Sequence, residues 1–246
     1  MTRVDASQSN RRKCLLLHGN PGSLLDWEPL VARLTGSGDI AAIDMPGFGR
    51  SPRSSPSPSS LRLDRLADDV ISVADALSWS GPIFLIGHSH GGGVAQTVAA
   101  KYPARVAGIV LLGTLGAPEN ASYRLLSLPG AAAAVQLAGQ LFRRTSFRAI
   151  SRRILRQFMT DIFYPEPVSA ARIDHELAVL CARPEILLSM VHVALGHPCQ
   201  QLLDSAPRIR CPTLFLHGQE DALVPTKYAR AIHDAILAAG GKSEFR

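Results

Sequence analysis

Ser89 sits in Gly87-His88-Ser89-His90-Gly91, a match to G-x-S-x-G. The chemistry such a pattern can carry is nucleophilic attack on an acyl carbon. A serine hydroxyl is a poor nucleophile unless a base takes its proton as it attacks. Two imidazoles flank it, but adjacent side chains on a sharp turn diverge, so neither ring can readily meet the hydroxyl between them. The base must then come from another segment. "HGQEDALVP" (217–225) offers Asp221 just past an apolar run, and "HGNPGS" (18–23) offers a loop whose backbone N–H groups could face the serine.

These segments meet only if strands carry them to one edge. "IFLIG" (83–87) is a short apolar strand running straight into the glycine-rich turn, and the small residues of "GVAQTVAAKYP" read as a closely packed helix behind it. Strand, sharp turn and helix are what an exposed nucleophile requires. "CLLLHG" (14–19), "IAAIDMPGFG" (40–49), "VAGIVLLG" (106–113) and "TLFLHG" (213–218) read as further buried strands. Helical spacing lies between them in "LLDWEPLVARLTGSG", in 61–79 and in "TKYARAIHDAILAAG". The second of these is expected to be capped by Ser60 and to bury Leu63, Leu66, Val70, Val73 and Leu77. "SPRSSPSPSS" (51–60), nearly all serine and proline, reads as a loop. Alternating strands and helices specify an α/β fold, a mostly parallel sheet with helices on both faces. Sites in such sheets form outside the carboxyl ends of the strands, where Ser89, Asp221 and the 18–23 loop all fall.

Residues 116–205 break the alternation, which divides the chain into a core, 1–115 and 206–246, and a helical insertion. The insertion holds nine arginines and no lysine. In "FRRTSFRAISRRILRQF", Phe147, Ile150, Ile154 and Phe158 form one stripe, expected to pack inward, while Arg148, Arg152, Arg153 and Arg156 face solvent. "LPGAAAAVQLAGQLF" (128–142) reads as ordinary helix packing rather than the wall of a pocket.

At 246 residues, 46% of them hydrophobic, the chain can bury a substantial core. Its net charge of +6 comes without a nucleic-acid recognition motif. No stretch reaches the roughly 18 apolar residues of a membrane span. The polar, basic start "MTRVDASQSNRRK" does not read as a secretory leader. Cys14, Cys181, Cys199 and Cys211 lack metal-like spacing and are expected to be buried, reduced thiols of a cytoplasmic protein. "HELAVL" lacks the second histidine of a zinc motif, and "GFGRSP" lacks the third glycine of a dinucleotide loop. The expected ligand is a small-molecule substrate, bound without metal or cofactor.

Taken in order, "LLLHGNPGS", "DMPGFGRS", "LIGHSHGGG", a helical insertion and "PTLFLHGQEDALVP" resemble the α/β-hydrolase superfamily over nearly the whole chain. The resemblance implies that Ser89 is the nucleophile, Asp221 the acid that orients the base, and the N–H groups of Asn20 and His90 the oxyanion hole. His88 should point back into the support of the turn, the ring of His90 should turn away, and 116–205 should form a lid. It implies hydrolysis of a carboxylic ester or related acyl substrate. Serine at position 89 argues against the haloalkane dehalogenase and epoxide hydrolase branches, which attack with aspartate. The family's base is a histidine just after the next strand, which would begin near "KSEFR", and no histidine stands there. His233 is expected on a helix surface, and His18 and His217 in structural positions. The expectation is a hydrolase cut short before its base, with the final strand absent and a sheet edge left unprotected. The alternative is a non-catalytic binding protein on the same fold.

Overall fold

Six short strands take up the apolar runs: β1 (Lys13–Leu17), β2 (Asp39–Ile43), β3 (Ile83–His88), β4 (Val106–Leu112), β5 (Thr213–Leu216) and β6 (Ser243–Phe245). The structure, a computed structural model, describes residues 11–34, 36–51, 57, 59–114, 128–142, 144, 148–163, 167–196, 199–221 and 224–246. All strand pairs are parallel, in the order β2-β1-β3-β4-β5-β6. Leu15, Leu16, Leu17, Ile83, Leu85 and Leu111 are fully enclosed, as strands covered on both faces require. The chain moves outward from β1 to β2 and then crosses back to β3, so the strand order reverses beside β1. At such a switch point the connections splay apart and leave a crevice at the carboxyl edge.

β6 corrects the expectation of a missing final strand. Ser243–Phe245 pairs with β5, Phe245 stacks on Phe215 at 5.7 Å, and the Arg246 N–H donates to the Phe215 carbonyl at 3.0 Å.

Helices α1 (Glu28–Arg33), α2 (Leu63–Ala76) and α3 (His90–Lys101) lie between the first four strands, and α9 (Thr226–Ala238) between the last two. α3 is buried along almost its whole length, which its glycines and alanines permit. α2 buries Leu63, Leu66, Ala67, Val70 and Ala74 but leaves Leu77 42% exposed, because the helix ends at Ala76. Its N-cap is Arg62, not Ser60, whose hydroxyl is taken up by a turn with Ser57. The serine-proline stretch lies mostly outside the described residues.

Between β4 and β5 come α4 (Ala131–Phe142), α5 (Arg148–Phe163), α6 (Ala170–Ala182), α7 (Glu185–Leu195) and α8 (Cys199–Ser205). α4 packs on α7, as its plain reading required. α8 packs on α3 and α9, and Gln96 Nε2 donates to the Leu202 carbonyl at 2.6 Å, so by packing this last helix joins the core layer. On α5 the inward face is Ser151, Leu155 and Met159, whereas Ile150 and Ile154 are each 57% exposed. α5 packs on α6, and at the surface between them Arg152 pairs with Asp174 at 2.5 Å. Phe147 and the side chain of Phe158 lie outside the described residues. Among the described residues no helix is long and apolar enough to cross a membrane. The four cysteines are free, but only Cys211 is fully buried, the others lying half-buried near the surface.

Candidate active site

Ser89 is the joint between β3 and α3, and its backbone adopts φ 48°, ψ −113°. A side chain held in so sparsely populated a region costs about 1–3 kcal/mol, and persists only where the surroundings dictate it. Here they do. The Ser89 N–H donates to the Leu112 carbonyl at 2.9 Å, and the Gly92 and Gly93 N–H groups donate back to the Ser89 carbonyl. The Gly91 N–H donates to the His18 carbonyl at 3.1 Å, fastening the elbow to the end of β1. A Cβ on Gly87 would lie 2.3 Å from the Gly91 carbonyl oxygen, and one on Gly91 would lie 2.1 Å from that of Leu17. The glycines that frame the serine are required by close backbone approach.

That contact lays the 18–23 loop beside the serine: the position a Gly19 Cβ would occupy is 3.4 Å from Ser89 Cβ. His18, fully buried, acts as the internal support of this loop. Its Nδ1–H donates to the Gly19 carbonyl at 2.7 Å, and Nε2 accepts from the Met45 N–H at 3.0 Å, which fixes the neutral tautomer. Burial lowers its pKa accordingly. Asn20 Nδ2 donates to the Met190 carbonyl on α7 at 2.9 Å. Asp44, just after β2, accepts from the N–H groups of Leu24 and Arg50 at 2.8 and 2.9 Å and so joins "DMPGFGRS" to the same loop.

Asp221 follows β5, two strands from Ser89. One carboxylate oxygen accepts from the Val224 N–H at 2.8 Å. The other lies 3.5 Å from the position of a Gly113 Cβ, over the end of β4, whose Leu112 carbonyl receives the Ser89 N–H. The structure therefore carries Ser89, the 18–23 loop and Asp221 to one edge.

The histidines divide by surroundings. His217 is enclosed, donates from Nε2 to the Val224 carbonyl at 2.8 Å and stacks on Phe245. His233 is not on the helix surface. It is half-buried against Phe215 and Phe245 and hydrogen-bonded to Ser243 at 2.7 Å, at the far end of β5 from the site. On the insertion, His175 is exposed on α6, His192 is half-buried on α7, and His197 lies outside the described residues. The His90 ring turns inward against Phe48, away from the serine, as expected. The His88 ring does not point into the support of the elbow. Its Nδ1 lies 2.7 Å from the position of a Gly19 Cβ, on the surface that Ser89 also touches. Part of His88 reaches solvent, yet the protein crowded around its ring is the largest influence and lowers its pKa, with Asp26 and Asp221 opposing.

A cavity of about 250 Å³ opens between the core and the insertion. Pro21, Gly22 and Phe48 form its core side; Leu155, Met159, Val179, Leu187 and Met190 form its insertion side. It reaches the 18–23 loop at Pro21 and Gly22 and is not lined by Ser89 itself. No residue of α4 lines it. Three charged groups, Asp26, Arg172 and Glu176, share this otherwise apolar wall. The sequence reading passed over Asp26 and Arg172; the spacing Ser23-x-x-Asp26, a capping pattern, was the available signal for the first. Among the described residues no group of His, Cys, Asp and Glu could hold a metal ion.

A strained serine between a strand and a helix, at the carboxyl edge of a parallel sheet with an acid two strands away, defines a protein of the nucleophile-elbow class. The chain belongs to the alpha/beta hydrolase fold family, whose model matches residues 15–240. It is 26% identical over 224 residues to a pimeloyl-[acyl-carrier protein] methyl ester esterase of Neisseria meningitidis, covering 90% of this chain and 80% of that protein. It is 25% identical over 228 residues to the 2-hydroxymuconate semialdehyde hydrolase of Pseudomonas sp. strain CF600, covering 92% and 76%. Among solved structures, a thermophilic esterase from Thermogutta terrifontis superposes with a TM-score of 0.66 at 26% identity, over 95% of this chain and 79% of that one. With relatives of this kind the protein is a hydrolase.

Proposed function

We propose that the protein cleaves a small carboxylic ester or a related acyl substrate through an acyl-enzyme on Ser89. The observation that carries this reading is the strained backbone of Ser89, φ 48° and ψ −113°, at the joint of a strand and a glycine-rich helix on the carboxyl edge of the sheet. In the proposed reaction Ser89 Oγ attacks the acyl carbon while its proton passes to a base. The N–H groups of Asn20 and His90 take up the charge that develops on the carbonyl oxygen. Collapse expels the alcohol with that proton, and water repeats the sequence on the acyl-enzyme to release the acid. Asp221 is the carboxylate that orients and stabilises the protonated base. The apolar cavity beside Pro21 and Gly22 suits the substrate's acyl portion, and the insertion above it serves as the lid. Serine in place of aspartate sets the reaction apart from epoxide and haloalkane opening. Four free thiols suit a reducing compartment, and we place the enzyme in the cytoplasm.

The base decides the rate. His18 and His233 are engaged away from Ser89, and His217, whose Nε2 lies 3.6 Å from Asp221, gives its proton to the Val224 carbonyl. Loss of the base in a serine triad costs on the order of 10⁶ in kcat. Turnover of p-nitrophenyl acetate by the wild-type chain, lost in Ser89→Ala, is the expected result. A fluorophosphonate should label the wild-type chain and not Ser89→Ala. Folded wild-type protein that takes no label would instead favour a non-catalytic binding protein on this fold.

A further inference from the structure

The loop proposed to supply an oxyanion donor is gripped from the insertion as well as from the core. Asp26 stands at its far end. One carboxylate oxygen accepts from the Ser23 N–H at 3.0 Å and lies 2.6 Å from where a Gly22 Cβ would be, so the carboxylate fills the inside of the bend. The other oxygen is held by Arg172 of α6, whose Nη2 is at 2.7 Å and lies 3.3 Å from Ser23 Oγ. Arg172 Nε donates to Glu176 at 2.8 Å on its own helix, which aims the guanidinium at the loop. The Arg172 and Asp26 side chains are only 21% and 15% exposed, whereas the other long-range pair of the insertion, Arg152 with Asp174, is 34% and 57% exposed. A shielded, charge-assisted bridge with fork geometry holds direction as well as distance.

We propose that Arg172 is a positioning residue: through Asp26 it fixes the 19–23 backbone, so that the inserted helix and the oxyanion loop form one mechanical unit. The inference rests on the reading of Asn20 as an oxyanion donor. Asn20 lies three residues from Ser23, and its side chain already reaches α7 through the Met190 carbonyl. Arg172 also lines the apolar cavity, so an acyl chain entering there packs against the residue that sets the donor geometry.

The test compares Arg172→Gln, Arg172→Lys, Asp26→Asn and the control Arg152→Gln by the kinetics of fluorophosphonate labelling at Ser89. Removing an oxyanion donor outright costs about 10²–10³ in rate, and a displaced loop forfeits part of that. Arg172→Gln and Asp26→Asn should therefore lower the limiting labelling rate by about tenfold or more, with the half-saturating probe concentration little changed. Arg172→Lys should recover part of the loss, since an ammonium can pair with Asp26 but cannot span Glu176 and Ser23 as well. Arg152→Gln should label like wild type. Amide hydrogen exchange should rise at Ser23 and Leu24 in Arg172→Gln and not in Arg152→Gln. Folded Arg172→Gln or Asp26→Asn labelled at the wild-type rate overturns the proposal, and Arg172→Lys with Asp26→Asn decides it should Arg172→Gln not fold. Folded wild-type chain that takes no label overturns the hydrolase reading instead; hydrogen exchange then still shows whether Arg172 holds the loop.

Discussion

Replacing Ser89 by glycine should make the protein more stable than replacing it by alanine, the reverse of what glycine does at ordinary positions. Alanine keeps the Cβ, and with it the cost of φ 48°, ψ −113°, about 1–3 kcal/mol for a non-glycine residue. Glycine adopts this backbone without that cost but gives back roughly 0.5–1 kcal/mol through the greater freedom of the unfolded chain. The difference leaves Ser89→Gly ahead of Ser89→Ala by about 1 kcal/mol, which for a chain of this size is roughly 2–4 °C in Tm. Both variants lack the hydroxyl and should be equally blind to fluorophosphonate, so the comparison separates the shape of the elbow from its chemistry. Urea unfolding midpoints at neutral pH, read by fluorescence, are the assay. A Ser89→Gly midpoint below that of Ser89→Ala would show that the bend carries no strain, and the argument from backbone to nucleophile would fail with it.

Gly91→Ala should cost about 3 kcal/mol or more, because its Cβ would meet the Leu17 carbonyl oxygen at 2.1 Å and only backbone movement relieves that. The same urea series checks it, together with loss of Ser89 labelling. Stability should also fall in mild acid. The pKa values of His18 and His88 are lowered in the folded protein, chiefly by burial, from an unfolded value near 6.5. Below about pH 6.5 the unfolded chain therefore binds more protons than the folded one. The stabilisation is fully present above that pH and declines as each folded pKa is approached, by up to about 1.4 kcal/mol per pH unit for the enclosed His18 and by less for His88, which solvent screens. Urea midpoints that stay flat from pH 7 to pH 5 would contradict this. Asp68, held low by Lys101 and Tyr102, acts further down, below about pH 4, so the two windows can be told apart. Finally, whatever esterase activity the chain shows should survive a strong chelator in full; loss restored by added zinc would reveal a metal requirement.

The parts of the fold that could be read in advance are those whose partners lie nearby in sequence or whose burial is complete. Runs such as "CLLLH" and "IFLIG" are apolar throughout because parallel strands are covered twice, and the elbow is legible because strand, serine and helix are contiguous. The faces of isolated helices were harder. On α5 two apolar stripes compete, and which one is buried depends on how α6, a later segment, packs against the helix. His233 looked like a surface residue because its partners, Phe245 and Ser243, belong to a three-residue strand too short to announce itself. The ring of His88 was misplaced for a related reason. Its resting place is Gly19, brought there by the bond between Gly91 and His18 across two strands.

The arginines of the insertion show how one composition serves two ends. Arg148, Arg153 and Arg156 are exposed on α5, as a solvated face requires. Arg172 and Arg183 are not part of that face. They stand at the two ends of α6 and bind the loops that frame Ser89. Arg172 holds Asp26, while Arg183 donates to the Gly49 carbonyl at 2.7 Å and the Ser51 carbonyl at 3.0 Å. Hydrogen bonds that involve a charged group contribute about 1.5–3 kcal/mol each. Lifting α6 off the core would break several at once and would disturb both loops. α5 makes its ion pair with α6 instead, across the exposed Arg152 and Asp174, and it carries Leu155 and Met159 over the cavity.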